Sequence, residues 1–191
     1  MAFRRSETSI TDLLEIQPDV FGDTRGFFAE LYNHRHFDSI GLGHLSFVQD
    51  NLSLSRKGTI RGLHFQAPPF DQGKLVSVLQ GKALDVAVDI RKGSPTYGHA
   101  VAVELSAEKL NMLFVPPGFA HGFQVLSESC LFSYKCTNFY DKASEGGLMW
   151  NDPALDIPWV EDIEPILSEK DQYYPTFKEF VSPFSLETEA L

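Results

Sequence analysis

The sequence predicts a mainly β protein, either an all-β barrel or a double-sheet jelly roll, with a few short peripheral helices. Three observations predict it. Short strand-like apolar runs follow one another at regular spacing from residue 59 to residue 137. The joints between them carry turn-forming residues, at Gln80-Gly81, Lys92-Gly93-Ser94-Pro95 and Pro116-Pro117-Gly118; Gly and Pro supply turn dihedrals that other residues adopt at a cost. Helix-period patterning is confined to short stretches near the two ends. Many short strands with such punctuation close into a barrel or pack as two sheets, because open edges are a liability.

The elements follow in order. Residues 12–33 alternate apolar and polar, and the alternation breaks at Phe21-Gly-Asp23-Thr-Arg25-Gly26, which reads as a turn. Strand resumes at Phe27-Phe-Ala-Glu30-Leu-Tyr-Asn. Residues 35–40, closed by Gly41, read as one short helix with a glycine stop. Residues 45–51 read as strand, and further strands fall at 59–66, 74–80, 82–90, 100–105, 112–115, 122–125 and 130–137. The tail differs: Asp152-Pro-Ala-Leu marks a loop, and Ser168 to Asp171 resembles a capping box. That pattern predicts a short helix before Pro175 and a second at 176–180. No repeat, low-complexity tract or linker divides residues 1–191, which read as a single domain with room for a proper core.

The charge balance excludes some functions. The formal charge is -10, from 26 acids against 16 bases, which argues against nucleic acid as the partner. An anionic ligand would be repelled by the overall field and needs a local cluster of cations. No apolar run is long enough to span a bilayer, and the N-terminus shows no signal-peptide pattern, so a cytoplasmic location is expected. Cys130 and Cys136 sit six residues apart on one predicted strand, too far to bridge, and read as buried free thiols.

The chemistry concentrates in Gly58-Thr-Ile-Arg61-Gly-Leu-His64-Phe-Gln66 and Gln72-Gly-Lys74-Leu-Val. This stretch offers an imidazole that can move a proton near neutral pH and two cations that can hold an anion or a developing negative charge. Strand parity turns Tyr134 inward with Cys130, Phe132 and Cys136. It also groups Gly62, His64 and Gln66 and turns Arg61 the other way, so parity does not place Arg61 beside His64. Each residue has a plainer reading: His64 and Tyr134 as core residues, Lys74 as a solvated strand end, Arg25 and Arg61 as surface ion pairs, Asp171 as a helix cap. His121, in Pro117-Gly118-Phe119-Ala120-His121-Gly122, resembles the second metal motif of cupins. The matching first motif reads His64-Phe65-Gln66 and lacks its second imidazole, so no metal is expected.

Taken together, these segments resemble the dTDP-4-dehydrorhamnose 3,5-epimerase family, metal-independent cupins, nearly end to end. The agreement includes Asp23-Thr-Arg25-Gly-Phe-Phe-Ala-Glu30, Phe47-Val-Gln49-Asp-Asn51, Arg61-Gly-Leu-His64-Phe-Gln66, Asp85-Val-Ala-Val-Asp89-Ile-Arg91, Gly118-Phe-Ala-His121-Gly-Phe, Tyr134-Lys135, Ser144-Glu145, Trp150-Asn-Asp152-Pro and Ser168-Glu-Lys170-Asp171. Departures are mild: Ile60 stands where Val or Leu is common, and Ser77 where a larger residue is often found. The resemblance implies a cupin-type jelly-roll homodimer acting on a dTDP-linked 4-keto-6-deoxyglucose in deoxysugar biosynthesis. It implies His64 as the base, Tyr134 as the proton donor and Asp171 as the carboxylate paired with the histidine. It further implies substrate contacts at Arg25, Glu30, Gln49, Asn51, Arg61, Lys74, His121, Glu145 and Lys170, some of them reaching across a dimer from the N-terminal region.

The chemistry of inverting carbons 3 and 5 fits these groups. Both carbons flank a ketone, so removing either proton makes an enolate. A histidine base suits neutral pH, Lys74 or His121 would stabilise the enolate oxygen, and a second acid must reprotonate from the opposite face. Arg25, Arg61 and Lys170 suit the diphosphate, and Phe27, Phe28, Phe139 and Tyr140 are candidates to stack on the base. No net redox change occurs, so no cofactor is expected. Alternatives from the sequence alone are a single-carbon epimerase or ketoisomerase, a metal-dependent cupin, and a non-catalytic sugar-nucleotide binder.

Overall fold

The computed structural model describes residues 2–186. The chain begins with β1 (Phe3–Glu7), β2 (Leu14–Pro18), β3 (Val20–Asp23), β4 (Gly26–Ala29) and the helix α1 (His34–Ser39). The barrel strands follow: β5 (Gln49–Arg56), β6 (Ile60–Gln66), β7 (Lys74–Gln80), β8 (Lys82–Asp89), β9 (Arg91–Lys92), β10 (Ala100–Ser106), β11 (Met112–Val115), β12 (Phe119–Val125) and β13 (Ser129–Cys136). Then come β14 (Glu145–Gly147), two single 3₁₀ turns at Pro153–Leu155 and Lys170–Gln172, and β15 (Phe184–Ser185).

Two antiparallel sheets form the body, one ordered β1-β2-β11-β7-β13-β5 and the other β10-β8-β12-β6-β14. Between them lies a core that includes Val76, Val78, Ala87, Leu113, Phe119, Phe123, Val125 and Phe132. Phe123 and Phe132, from opposite sheets, stack with centroids 4.0 Å apart. The second sheet is also covered on its outer face, where Leu63, Phe65, Val86, Val88 and Ile90 pack under Leu148, Leu155 and Phe184 from the tail. Burial on both faces explains why β8 reads as a nearly continuous apolar run rather than an alternating one. The outer face of the first sheet is closed by Phe37 of α1 against Phe3, Leu14, Ile16 and Phe114. Each such buried side chain contributes about 1.5–3 kcal/mol of transfer free energy.

The expected strands at 74–80 and 112–115 have the observed limits, and the others differ by a few residues. Three differences have physical causes. The strand expected at 45–51 begins only at Gln49, because Leu45 and Phe47 pack into the cluster around Phe37 instead of joining a ladder. β1 escapes the apolar pattern because Phe3 is its single buried residue. The two tail helices are not formed: Lys170–Gln172 is one 3₁₀ turn and residues 176–179 make a turn without a helix. Here Phe177 and Phe180 are claimed by the outer face of the second sheet, and tertiary burial overrides the local propensity. Cys130 and Cys136 are both buried and free.

Candidate active site

His64 sits in the middle of β6, opposite His121 of β12 and Gly147 of β14. Its Nε2 lies 2.6 Å from Oδ1 of Asp171. The 3₁₀ turn delivers that carboxylate, which is only 2% exposed, and Ser168 Oγ accepts the Asp171 backbone N–H at 3.4 Å. Burial alone would raise the Asp171 pKa, but its hydrogen bonds with His64 and Ser168 and the nearby positive charge hold it below the usual carboxylate range.

Tyr134 approaches from the other sheet, on β13, turned inward as parity requires. It shares one cavity of about 390 Å³ with His64, Arg61, Lys74, His121, Asn51, Glu145, Lys170 and Asp171. Burial pushes the phenol pKa up, and neighbouring Cys136 and Glu145 add to this while Arg61 and Lys170 oppose it. Lys74 enters from the start of β7, and desolvation lowers its pKa against the pull of Cys136, Asp85 and Glu145. Three cations therefore line the pocket of a protein with net negative charge, as an anionic ligand demands.

Simple alternation turns Arg61 away from His64, yet both face this cavity. The reason is a bulge: His121 pairs with His64 and Phe123 with Arg61, so three residues of β6 span two of β12. Gly62 makes it possible. Its φ is +140°, and a Cβ there would stand 2.5 Å from Gly122 Cα. Arg61 is steadied by Nε donating to Ser55 Oγ at 3.2 Å.

His121 lies on the same strand face as its partner and is bonded through Nε2 to both oxygens of the fully buried Asp85, at 3.1 and 3.0 Å. Burial raises the Asp85 pKa, with His121 and Lys74 opposing. The two imidazoles thus have separate carboxylate partners. Among the described residues no group of three or more His, Cys, Asp or Glu side chains is placed to hold a metal ion. Lys170 Nζ pairs with Glu145, which also accepts from the Tyr140 hydroxyl at 3.0 Å. Gln49 lines an adjoining lobe of about 240 Å³ together with His64, Lys74 and Tyr140, and its amide bonds Asn51 Oδ1 at 3.2 Å. Of the aromatic candidates for base stacking, Tyr140 lines the cavity.

Arg25 and Glu30 are not in it. Arg25 pairs with Asp23 at 2.5 Å on a hairpin whose strands β3 and β4 bond only each other, and its side chain is 88% exposed. It lines a separate depression with Phe21, Phe27 and Phe28. Glu30 bonds His36 Nδ1 at 2.7 Å and Asn33. Within one chain these two stand apart from the other expected ligands, on a hairpin and its flank that pair with no other sheet.

Three residues in contact with this machinery were not singled out from sequence. Asp85 had a signal, an acid amid a buried strand. Ser53 shares the inward parity of Asn51, and its Oγ is the one buried side-chain oxygen or nitrogen without a hydrogen-bond partner among the described residues. Tyr174, whose ring meets His64, had none. A larger cavity of about 450 Å³, between Trp150 and Trp159 on the outer face, carries neither an imidazole nor a cation.

A β-jelly-roll cavity with a histidine–aspartate pair facing a half-buried tyrosine, among cations, has the groups that an acid–base isomerase requires. Residues 7–179 match the dTDP-4-dehydrorhamnose 3,5-epimerase family. A dTDP-4-dehydrorhamnose 3,5-epimerase of Salmonella typhimurium is 52% identical over 169 residues, 88% of this chain and 92% of that one. The crystal structure of such an epimerase from Elizabethkingia anophelis NUHP1 is 50% identical with a TM-score of 0.87, covering 94% of this chain and 98% of that chain. A dTDP-6-deoxy-D-glucose-3,5-epimerase from Legionella pneumophila Philadelphia 1, solved in complex with dTDP-4-keto-L-rhamnose, is 45% identical with a TM-score of 0.88, covering 94% and 95%. The chain belongs to the dTDP-4-dehydrorhamnose 3,5-epimerase family, and its fold is the cupin fold of that family.

Proposed function

We propose that His64 and Tyr134 are the base and acid with which this chain performs dTDP-4-dehydrorhamnose 3,5-epimerisation. The observation that carries the assignment is their placement: they line one cavity from opposite sheets, and His64 is backed by the buried carboxylate of Asp171. Asp171 accepts the Nε2–H, so the free ring nitrogen is Nδ1, and that atom takes the carbon-bound proton next to the ketone. The electron pair moves to the ketone oxygen. Lys74, with His121 beside it, donates to the enolate there. Tyr134 returns a proton to the opposite face, and the high pKa of its buried phenol keeps it protonated until then. Each acid–base partner is worth about 10²–10⁴-fold.

Arg61 and Lys170 hold the diphosphate of the dTDP-linked 4-keto sugar, Gln49, Asn51 and Glu145 contact the nucleotide and sugar, and Tyr140 stacks on the base. A second copy completes the site. Leu52 and Leu54 stand 62% and 67% exposed on β5, an edge strand, and Phe27 and Phe28 stand 64% and 57% exposed on the hairpin that carries Arg25. Pairing these apolar surfaces in a homodimer would carry Arg25 and Glu30 to a neighbouring cavity. Among the described residues no helix is long and apolar enough to cross a membrane, and the two buried free thiols suit a reducing, cytoplasmic compartment.

The test is incubation with the 4-keto sugar nucleotide in D₂O, followed by NMR. Deuterium at both carbons 3 and 5, with inversion at each, is the expected result. Deuterium at one carbon alone would make this a single-carbon epimerase, and none at either would overturn the assignment.

A further inference from the structure

The bond to Asp171 fixes His64 at one point. A single hydrogen bond leaves the plane of an imidazole loosely defined, because its terminal torsion is broad and roughly two-fold. A base that must reach a particular carbon-bound proton needs the plane defined as well, since a small misplacement of reacting atoms is costly.

Tyr174 supplies that second constraint. Its ring meets His64 edge-on, with centroids 5.7 Å apart and planes at 66°, an arrangement aromatic rings favour over face-to-face contact. The phenol ring is itself wedged. A Cβ on Gly147 would stand 2.7 Å from its Cε2 and Cζ, and Gly147 is the residue opposite His64 on β14. The next residue anchors the segment, since Met149 N–H donates to Pro175 C=O at 2.9 Å. Tyr174 follows directly on the 3₁₀ turn that carries Asp171. One short segment therefore delivers both the carboxylate that bonds the imidazole and the ring that sets its plane.

We propose that Tyr174 is a positioning residue for proton abstraction, its aromatic ring holding the imidazole of His64 in the plane that aims Nδ1 at the substrate. The proposal rests on the reading of His64 as the base. It assigns the work to the aromatic ring and not to the hydroxyl, so Tyr174→Phe keeps the function while Tyr174→Ala and Tyr174→Leu lose it.

Expected in steady-state assays is a drop in kcat of roughly 10–100-fold for the Ala and Leu variants, with KM changed by less than about two-fold, and near-normal kcat for Phe. In protein labelled with ¹⁵N-histidine, His64 of the wild type and the Phe variant should show one tautomer, with Nε2 protonated. The Ala and Leu variants, whose tautomer Asp171 still sets, should show the His64 ring signals broadened by motion of the imidazole plane, at an unchanged melting temperature. Normal kcat in both the Ala and Leu variants would overturn the proposal. So would a Phe variant as impaired as Ala, or His64 ring signals equally sharp in every variant. The Leu variant keeps the site filled and decides the matter if Ala does not fold. An inactive wild type would count against the epimerase assignment, and the widths of the His64 ring signals would still decide the role of Tyr174.

Discussion

The imidazole of His64 and the carboxylate of Asp171 meet at 2.6 Å although 107 residues separate them in the chain. In the proposed reaction this pair makes a strand histidine into a base with a set tautomer, because the carboxylate accepts one N–H and stabilises the cation formed when the other nitrogen takes a proton. Asp171→Asn removes that charge and offers an amide in its place. The expected result is a loss of kcat of about 10²-fold or more with nucleotide binding preserved, checked by steady-state kinetics and by calorimetric titration with dTDP.

Tyr134→Phe separates the two half-reactions. Abstraction by His64 needs no phenol, whereas reprotonation on the far face does. Epimerised product should fall by about 10²–10⁴-fold while exchange of the substrate carbon proton with D₂O continues, both read from one NMR time course. Loss of exchange in parallel with product would place Tyr134 in the first step.

Activity should decline at alkaline pH through Lys74. Desolvation holds its pKa below the ordinary 10.5, whereas burial holds Tyr134 above the ordinary 10.0. In the proposed reaction the working form of Lys74 is the ammonium, so its contribution is present below its pKa and lost as pH rises through it. Lys74→Arg should lower the rate and move the alkaline limb of kcat/KM upward, because a guanidinium stays protonated. An unmoved limb would assign it elsewhere.

Asp89 anchors the fold away from the site. It is fully buried and accepts from the Arg91 guanidinium and backbone N–H and from the Ser94 and Thr96 hydroxyls. Burial would raise its pKa, but these donors hold it below the ordinary 3.8. The stability it contributes is therefore present above that value and lost as pH falls through the lower, native one. Asp89→Ala should cost about 1–3 kcal/mol near neutral pH by leaving the Ser94 and Thr96 hydroxyls without their buried acceptor and the Arg91 guanidinium with Asp12 alone. Urea unfolding across a pH series should show the deficit shrinking in acid.

Gly62→Ala tests the bulge. A methyl group 2.5 Å from Gly122 Cα, at a backbone φ of +140°, should destabilise the protein by about 1–3 kcal/mol or more. Activity should fall beyond what the lost folded fraction explains, because Arg61 and His64 share a face only through that register. Denaturant midpoints and the activity of the folded protein at low temperature check the two effects.

Strand positions, the inward face of Tyr134, the free buried thiols and the need for a local cationic cluster were all legible in the sequence, because alternation, turn residues and charge are local or additive properties. The expected helix at 176–180 was the misleading case: Phe177 and Phe180 had a better place against the second sheet than along a helix. The site was legible as residue types, and through the family resemblance as roles, but not as an arrangement. His64 acquires its carboxylate from a turn far along the chain, Arg61 joins it through one extra residue in a ladder, and Tyr174 reaches it by packing on a glycine. The sequence by itself determined which strands form and which face of each is apolar, since those follow from near-neighbour sterics and period. Only the tertiary structure decided which polar groups meet, since contact between distant segments depends on register, and one inserted residue reverses every side chain beyond it.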